Sequence, residues 1–163
     1  MGVSTDGQIC YGIPFEEGYE FPWDNEKWGG DIADWWIYEI CGYTDPFKLW
    51  NDDGEYEGGE KPPESEVEKW YSAKRTFLKN HPIPVEMVNY CSYDYEMYII
   101  AVPSSFLSNS RGYPKQFLPL ALTVKENERE GLINFCEKHC KPENDSGGSP
   151  EIEPSWYLTS LWG

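Results

Sequence analysis

Apolar and polar positions along this chain fall into short runs whose period changes several times. Gln8 to Phe15 follows an Asp6-Gly7 turn pair and is rich in β-branched and aromatic residues, which predicts a first strand. From Glu16 to Gly30 the periodicity is lost. Gly18, Pro22, Gly29 and Gly30 punctuate a loop in which acids alternate with Tyr19, Phe21, Trp23 and Trp28. Asp31 then stands where a helix cap belongs. Ile32, Trp35, Trp36 and Ile40 recur at helical spacing before Gly42, so this stretch reads as a helix with those four as its buried stripe. Phe47 to Trp50 and Tyr56 flank Asn51-Asp52-Asp53-Gly54, a hairpin signal.

Pro63 suits the first turn of a second helix, from Glu64 to Asn80. Early glutamates and late lysines match its dipole, and Val67, Trp70, Tyr71, Phe77 and Leu78 form its expected core face. Val85 to Cys91 and Tyr95 to Val102 read as an antiparallel strand pair. Ser104 to Pro119 shows no period. Thr123 and Glu126 form a T-x-x-E capping box that opens a third helix to about Cys140, with Leu132, Ile133, Phe135 and Cys136 apolar. A flexible loop of Ser, Gly, Pro and acids is expected over 142–154, and Ser155 to Trp162 is a last strand. Strands on both sides of helices predict an α+β fold, or α/β with a mixed sheet. A single domain over 1–163 would hold antiparallel hairpins and about three packed helices.

Composition sharpens this picture. The chain has 8 Trp, 12 Tyr and 7 Phe, enough ring surface to build a core despite a net charge of −16. That charge is uneven. Residues 1–68 hold 18 acids against 3 lysines, while 69–163 are nearly neutral with 11 acids and 10 Lys/Arg. Such a balance argues against direct binding of nucleic acid or anionic membrane. No apolar run reaches the roughly 18 residues of a membrane span, and the polar N-terminus does not read as a secretory signal. Five cysteines, an odd number, suggest reduced thiols in a cytosol.

Catalytic signatures are missing from the sequence. There is no G-x-S-x-G and no phosphate-cradling glycine loop, so a non-enzymatic protein without cofactor is expected. Cys136, His139 and Cys140 share one helix face and form a weak candidate for a metal, without a C-x-x-C pair to strengthen it. Lys74, Arg75, Tyr93, Tyr95, Arg111, Tyr113 and Lys115 could line an aromatic pocket for a phosphate-bearing nucleotide. The acidic positions Glu16, Glu17, Glu20, Asp24, Glu26, Asp31, Asp34, Asp52, Asp53, Glu55 and Glu57 are spread among aromatics, as carboxylates on an ordered scaffold would be. They are the candidate partner-binding set. Their spacing can imitate the charge row of a duplex, and steering toward a basic surface would speed association.

Three segments, MGVSTDGQICYGIPFEE, KRTFLKNHPIPVEMVNYCSYDYEMYIIAVP and PSWYLTSLWG, together with the Gly-Asp-Ile-Ala-Asp-Trp-Trp helix start, resemble a family of small acidic bacteriophage proteins. The resemblance covers nearly the whole chain and carries no catalytic residues. It implies work in a bacterial host cytosol, and by analogy an inhibitor of host defence, of the anti-CRISPR or anti-restriction kind. The leading expectation is therefore a non-catalytic inhibitor whose acidic surface mimics nucleic acid. It would block a basic site on a host nucleic-acid-binding defence complex. A nucleotide-binding or sequestering module, and a phage protein whose charge merely keeps it soluble, are the alternatives.

Overall fold

The computed structural model describes residues 5–15, 17–45, 62–92, 96–110, 112–116, 118, 120, 122–140 and 153–162. The expected hairpin around Asp52 and most of the expected loop over 142–154 lie outside them. The fold is α+β, with a five-stranded mixed sheet and three helices. Two compact units emerge, one from Met1–Pro22 with Pro84–Gly163 and one from Trp23–Ile83. The sequence boundary in charge at residue 68 does not follow them. The first unit holds 15 acids and 6 Lys/Arg, the second 14 acids and 7 Lys/Arg.

In the first unit, strand β1 (Thr5–Phe15) begins three residues before the expected start and carries three ladders. Strand β5 (Ser155–Trp162) runs antiparallel to it from Thr5 to Gly12. Strand β3 (Glu96–Ala101) takes over from Gly12 to Phe15, and the short β4 (Leu107–Asn109) pairs with Gly7 to Ile9. The expected hairpin of β2 (Glu86–Ser92) with β3 is present and antiparallel. Strand β2 also touches β5, in parallel, at Cys91–Leu161 and Ser92–Trp162. The pairings β1–β3–β2–β5–β1 thus form a circuit with three antiparallel links and one parallel link. Strand directions around a regular closed ring require an even number of antiparallel links, so this circuit is not a regular barrel.

The alternation of side chains divides the core between the two faces of β1. Cys10 joins Val88, Ile99 and Ala101 in a fully buried cluster against which Tyr90, Phe106 and Tyr157 pack. On the other side of the ladder stand Ile13 and Ile100, both buried. Helix α3 (Glu126–His139) packs on β3 and buries Leu132, Phe135 and Cys136, as its apolar spacing predicts. Its cap is shifted from the expected Thr123–Glu126 pair. Thr123 donates its hydroxyl to Leu120 O (2.7 Å), and Glu128 instead accepts from the Lys125 backbone N–H (3.1 Å). That N–H holds the Glu128 carboxyl below its usual value. The stretch read as patternless also contains a 3₁₀ turn, Pro103–Ser105, before β4. Ser105 is buried there because its hydroxyl donates to Val102 O (2.6 Å) and accepts from Tyr11 N–H (2.9 Å).

The second unit is built largely from rings. Asp31 caps helix α1 (Ile32–Trp35), its Oδ1 accepting from the N–H groups of Ala33 (2.8 Å) and Asp34 (3.1 Å). A π turn over Trp36–Ile40 continues the helix, and Cys41 N–H donates to Trp36 O across five residues. This widening corrects the expected stripe. Trp35 and Ile37 are buried, whereas Ile32, Trp36 and Ile40 are half-buried, because a π turn rotates the following side chains off the 3.6-residue phase. Helix α2 (Glu64–Asn80) forms as predicted but buries no residue fully, and Tyr71 from its expected core face is 50% exposed. Trp23, fully buried, meets Trp35 at 5.0 Å between ring centroids, and Tyr43 meets Phe77 at 4.7 Å.

Gly12 sits where the β3 and β5 ladders meet. A Cβ there would lie 2.5 Å from both Ile100 O and Ile99 Cγ2. Gly12→Ala is expected to cost about 1–3 kcal/mol by overpacking, while Gly7→Ala, whose Cβ would find only Asn109 O at 4.0 Å, should sit within about 0.5 kcal/mol of the parent. Denaturant titration of the two variants distinguishes them, and equal effects would contradict the assigned register.

Burial, with Glu86 nearby as a smaller cause, pushes the Cys10 thiol up from 9.0 to about 11. The unfolded chain then loses this proton first, so the stabilisation is complete below the ordinary thiol value and drains away as pH rises through about 11. Melting temperature should therefore fall over this window, and Cys10→Ala should flatten that part of the decline.

Candidate functional site

The exposed carboxylates sit on loops that rings and hydrogen bonds hold in place. In the first unit, Glu17 and Glu20 are exposed beside Phe15, Tyr19 and Phe21. Those rings meet one another at 4.6–5.0 Å, and the Tyr19 hydroxyl donates to Cys140 O (2.5 Å). Burial lifts the Tyr19 hydroxyl to about 12, so it stays a donor at neutral pH. Burying Phe21 while Glu20 follows the opposite side of the chain is what turns that carboxylate to solvent.

The second unit repeats the device. Trp23 is buried, whereas Asp24 and Glu26 are exposed. Gly30 N–H donates to Trp23 O (3.0 Å) and, nested inside that bond, Gly29 N–H donates to Asn25 O (2.8 Å), closing the loop. Both glycines have positive φ, 56° and 83°, a conformation that other residues adopt at a cost. The loop is thus a hydrogen-bonded structure with two carboxylates on its outside.

Other members of the predicted acidic set do different work. Asp31 is a helix cap, as described above. Asp34 is half-buried and pairs with Lys74 Nζ at 2.5 Å. The Lys74 ammonium also lies 4.8 Å from the Trp70 ring and 5.6 Å from Tyr38. Tyr38 donates its hydroxyl to Asp45 (2.8 Å), and burial followed by that hydrogen bond pushes its ionisation far up. Lys74 is therefore a cross-link between α2 and the segment around α1, and sequence spacing gave no sign of its partner 40 residues away. Glu16, Asp52, Asp53, Glu55 and Glu57 lie outside the described residues.

The described members of the predicted nucleotide-binding set are divided between the two units. Lys74 and Arg75 belong to the second unit, where Asp34 and Glu68 (2.8 Å) neutralise them. Tyr113 and Lys115 belong to the first, on the wall of a cavity of about 580 Å³ that Ile9, Leu107 and Leu158 make apolar. Lys115 donates its ammonium to Ser108 O (3.2 Å) and Tyr113 is 75% exposed. Tyr93, Tyr95 and Arg111 lie outside the described residues.

All five cysteines carry free thiols. Cys136 and Cys140 stand together at the end of α3, where a hydrogen bond between them and burial push the Cys136 thiol far up. His139 packs its ring on Phe135 (centroids 5.1 Å), and burial lowers its pKa. Among the described residues no three His, Cys, Asp or Glu side chains converge on a metal-sized point. Metals take the thiolate, so the raised Cys136 thiol favours packing over ligation. No helix of the described residues is long and apolar enough to cross a membrane.

Sequence reading missed a cavity of about 760 Å³ between β2 and β5, whose wall includes Tyr90, Tyr157 and Met97. The two strands are evident in the sequence, but their parallel contact over two residue pairs is not. Comparison of the chain with protein-family models, curated protein sequences and solved structures gave no match.

The two kinds of ion pair should differ in weight. Asp34→Ala leaves Lys74, whose side chain is 16% exposed, without its carboxylate and is expected to cost about 1–3 kcal/mol. Glu39→Ala, which breaks the exposed 2.9 Å pair with Lys27, should cost under about 1 kcal/mol. Urea unfolding followed by tryptophan emission measures both, and the reverse order would contradict the cross-link.

Proposed function

We propose that this protein is a non-catalytic acidic inhibitor that occupies a basic, nucleic-acid-binding surface of a partner protein. The supporting observation is the placement of Glu17, Glu20, Asp24 and Glu26. All four are solvent-exposed on loops fixed by buried Phe21 and Trp23 and by backbone hydrogen bonds. A carboxylate presented on a preorganised loop loses little conformational freedom on binding, whereas a loose acidic tail would pay for its ordering. The net charge of −16 draws a basic surface in from a distance and repels nucleic acid itself. The resemblance to small acidic bacteriophage proteins gives the partner its class: a host defence complex of the bacterial cytosol that handles DNA or RNA.

The nucleotide-binding reading is weaker, because Lys74 and Arg75 are already paired with carboxylates. A purely solubilising charge makes a distinct forecast, namely that reversing individual carboxylates changes no interaction.

The test starts with capture of partners from bacterial lysate at low salt and repetition at high salt. A captured nucleic-acid-binding protein should be released as ionic strength rises, and the chain should displace a labelled oligonucleotide from it. Reversal to lysine at Glu17 and Glu20, or at Asp24 and Glu26, should weaken binding by tenfold or more while leaving the melting temperature within a few degrees, since each group is exposed. Salt-independent binding, or full activity of both double variants, would overturn the proposal.

A further inference from the structure

Strands β2 and β5 meet at one end only. Their parallel contact is confined to Cys91–Leu161 and Ser92–Trp162. From there they diverge, because β5 continues along β1 while β2 continues along β3. Diverging strands leave a wedge, and the cavity of about 760 Å³ fills it. Its volume is that of a small-molecule site, which typically spans about 300–1,000 Å³.

The wall has a definite chemistry. Tyr90 and Tyr157 contribute rings, Met97 a thioether, and Pro14 and Ile99 aliphatic surface. Polar atoms come from the phenols and from Thr159 and Ser160; Thr159 already donates its hydroxyl to Gln8 Oε1 (3.3 Å), which leaves its oxygen as an acceptor. Among the described residues, no Lys, Arg, Asp or Glu side chain lines it. A carboxylate or phosphate would enter without a counter-charge, in a protein of net charge −16, so the site favours an uncharged guest.

The rim carries a second, independent mark. Cys91 has φ 79°, the one non-glycine residue with positive φ among the described residues. It pairs at once with Glu96 of β3 and Leu161 of β5. The left-handed backbone at Cys91 thus lies where β2 keeps its hairpin pairing and gains its contact with β5, at the closed end of the wedge. Backbone strain of this kind persists where surrounding structure holds it and gathers at binding sites.

We propose that the wedge between β2 and β5 is a binding site for an uncharged aromatic small molecule bearing a hydroxyl, amide or carbonyl group. The guest's ring would lie among Tyr90, Tyr157 and Met97, with its polar group toward the phenols and Thr159. This site belongs to the first unit and does not depend on the acidic loops, so it stands or falls separately from the inhibitor reading.

The chain has 3 methionines, Met1, Met87 and Met97, which makes methyl-labelled methionine a direct reporter. Met97 lines the cavity, whereas Met87 neighbours Val88 of the buried cluster and so points to the opposite face of β2. With indole, coumarin and benzamide as probes at millimolar concentration, the Met97 methyl signal should shift in a saturable way and that of Met87 should stay. Benzoate should bind at least tenfold more weakly than benzamide. Tyr157→Phe should weaken binding several-fold, and Thr159→Trp, on the same face of β5 as Tyr157, should abolish it. If Thr159→Trp alters the Met87 signal and so disturbs the fold, Tyr157→Phe decides. An unmoved Met97 with all three probes, equal movement of Met87 and Met97, or equal affinity for benzoate and benzamide would overturn the proposal.

Discussion

One strand holds the first unit together, and one residue in it allows the arrangement. Strand β1 passes from the β5 ladder to the β3 ladder at Gly12, where the Ile100 carbonyl and the Ile99 methyl approach to 2.5 Å of the place a Cβ would take. Hydrogen there instead of carbon lets two ladders of the sheet share a strand without a gap between them. The consequences run outward from that point. Cys10, two residues before, is committed to the interior with Val88 and Ile99, and Ile13, one residue after, to the opposite face. The short parallel contact of β2 with β5 then closes the circuit of ladders.

Rings take over the role of aliphatic side chains wherever the acids are dense. Phe21, Trp23 and Trp35 are buried within a few residues of exposed carboxylates. A large flat group can be buried from a loop by one rotamer choice, which leaves its sequence neighbours outside. Charge and core are thereby interleaved along the chain without being mixed in space. The same logic explains Lys74. It is a cation held between Asp34 and the faces of Trp70 and Tyr38, joining α2 to the segment before it where the helix itself buries no side chain completely.

Period and punctuation made most of the elements legible. Asp31 as a cap, the span of α2, the β2–β3 hairpin, the apolar face of α3 and the last strand all follow from local patterns. What local pattern could not show is of three kinds. Trp36 begins a π turn, which breaks the phase on which stripe arguments rest. Thr123 has a competing acceptor in Leu120 O, so a capping box that fits the letters is not the one that forms. Ladder partners far apart in sequence, such as Gln8 with Thr159 or Cys91 with Leu161, leave no local trace at all. The acidic positions were legible as residues. Their division into exposed carboxylates on anchored loops, a helix cap and a cross-link needed the tertiary structure.

The β1–β5 ladder joins residues 151 apart, as in the bond from Thr159 to Gln8. During synthesis β1 is made before β5, the strand that completes its longest ladder. Residues 5–15 therefore wait with an open edge until β5 is made, while Trp23–Ile83 is made in between. Non-local closure of this kind is slow, because the chain entropy is lost before the contacts are gained. Assembly of the first unit is thus ordered in time: its longest ladder forms only when β5 arrives.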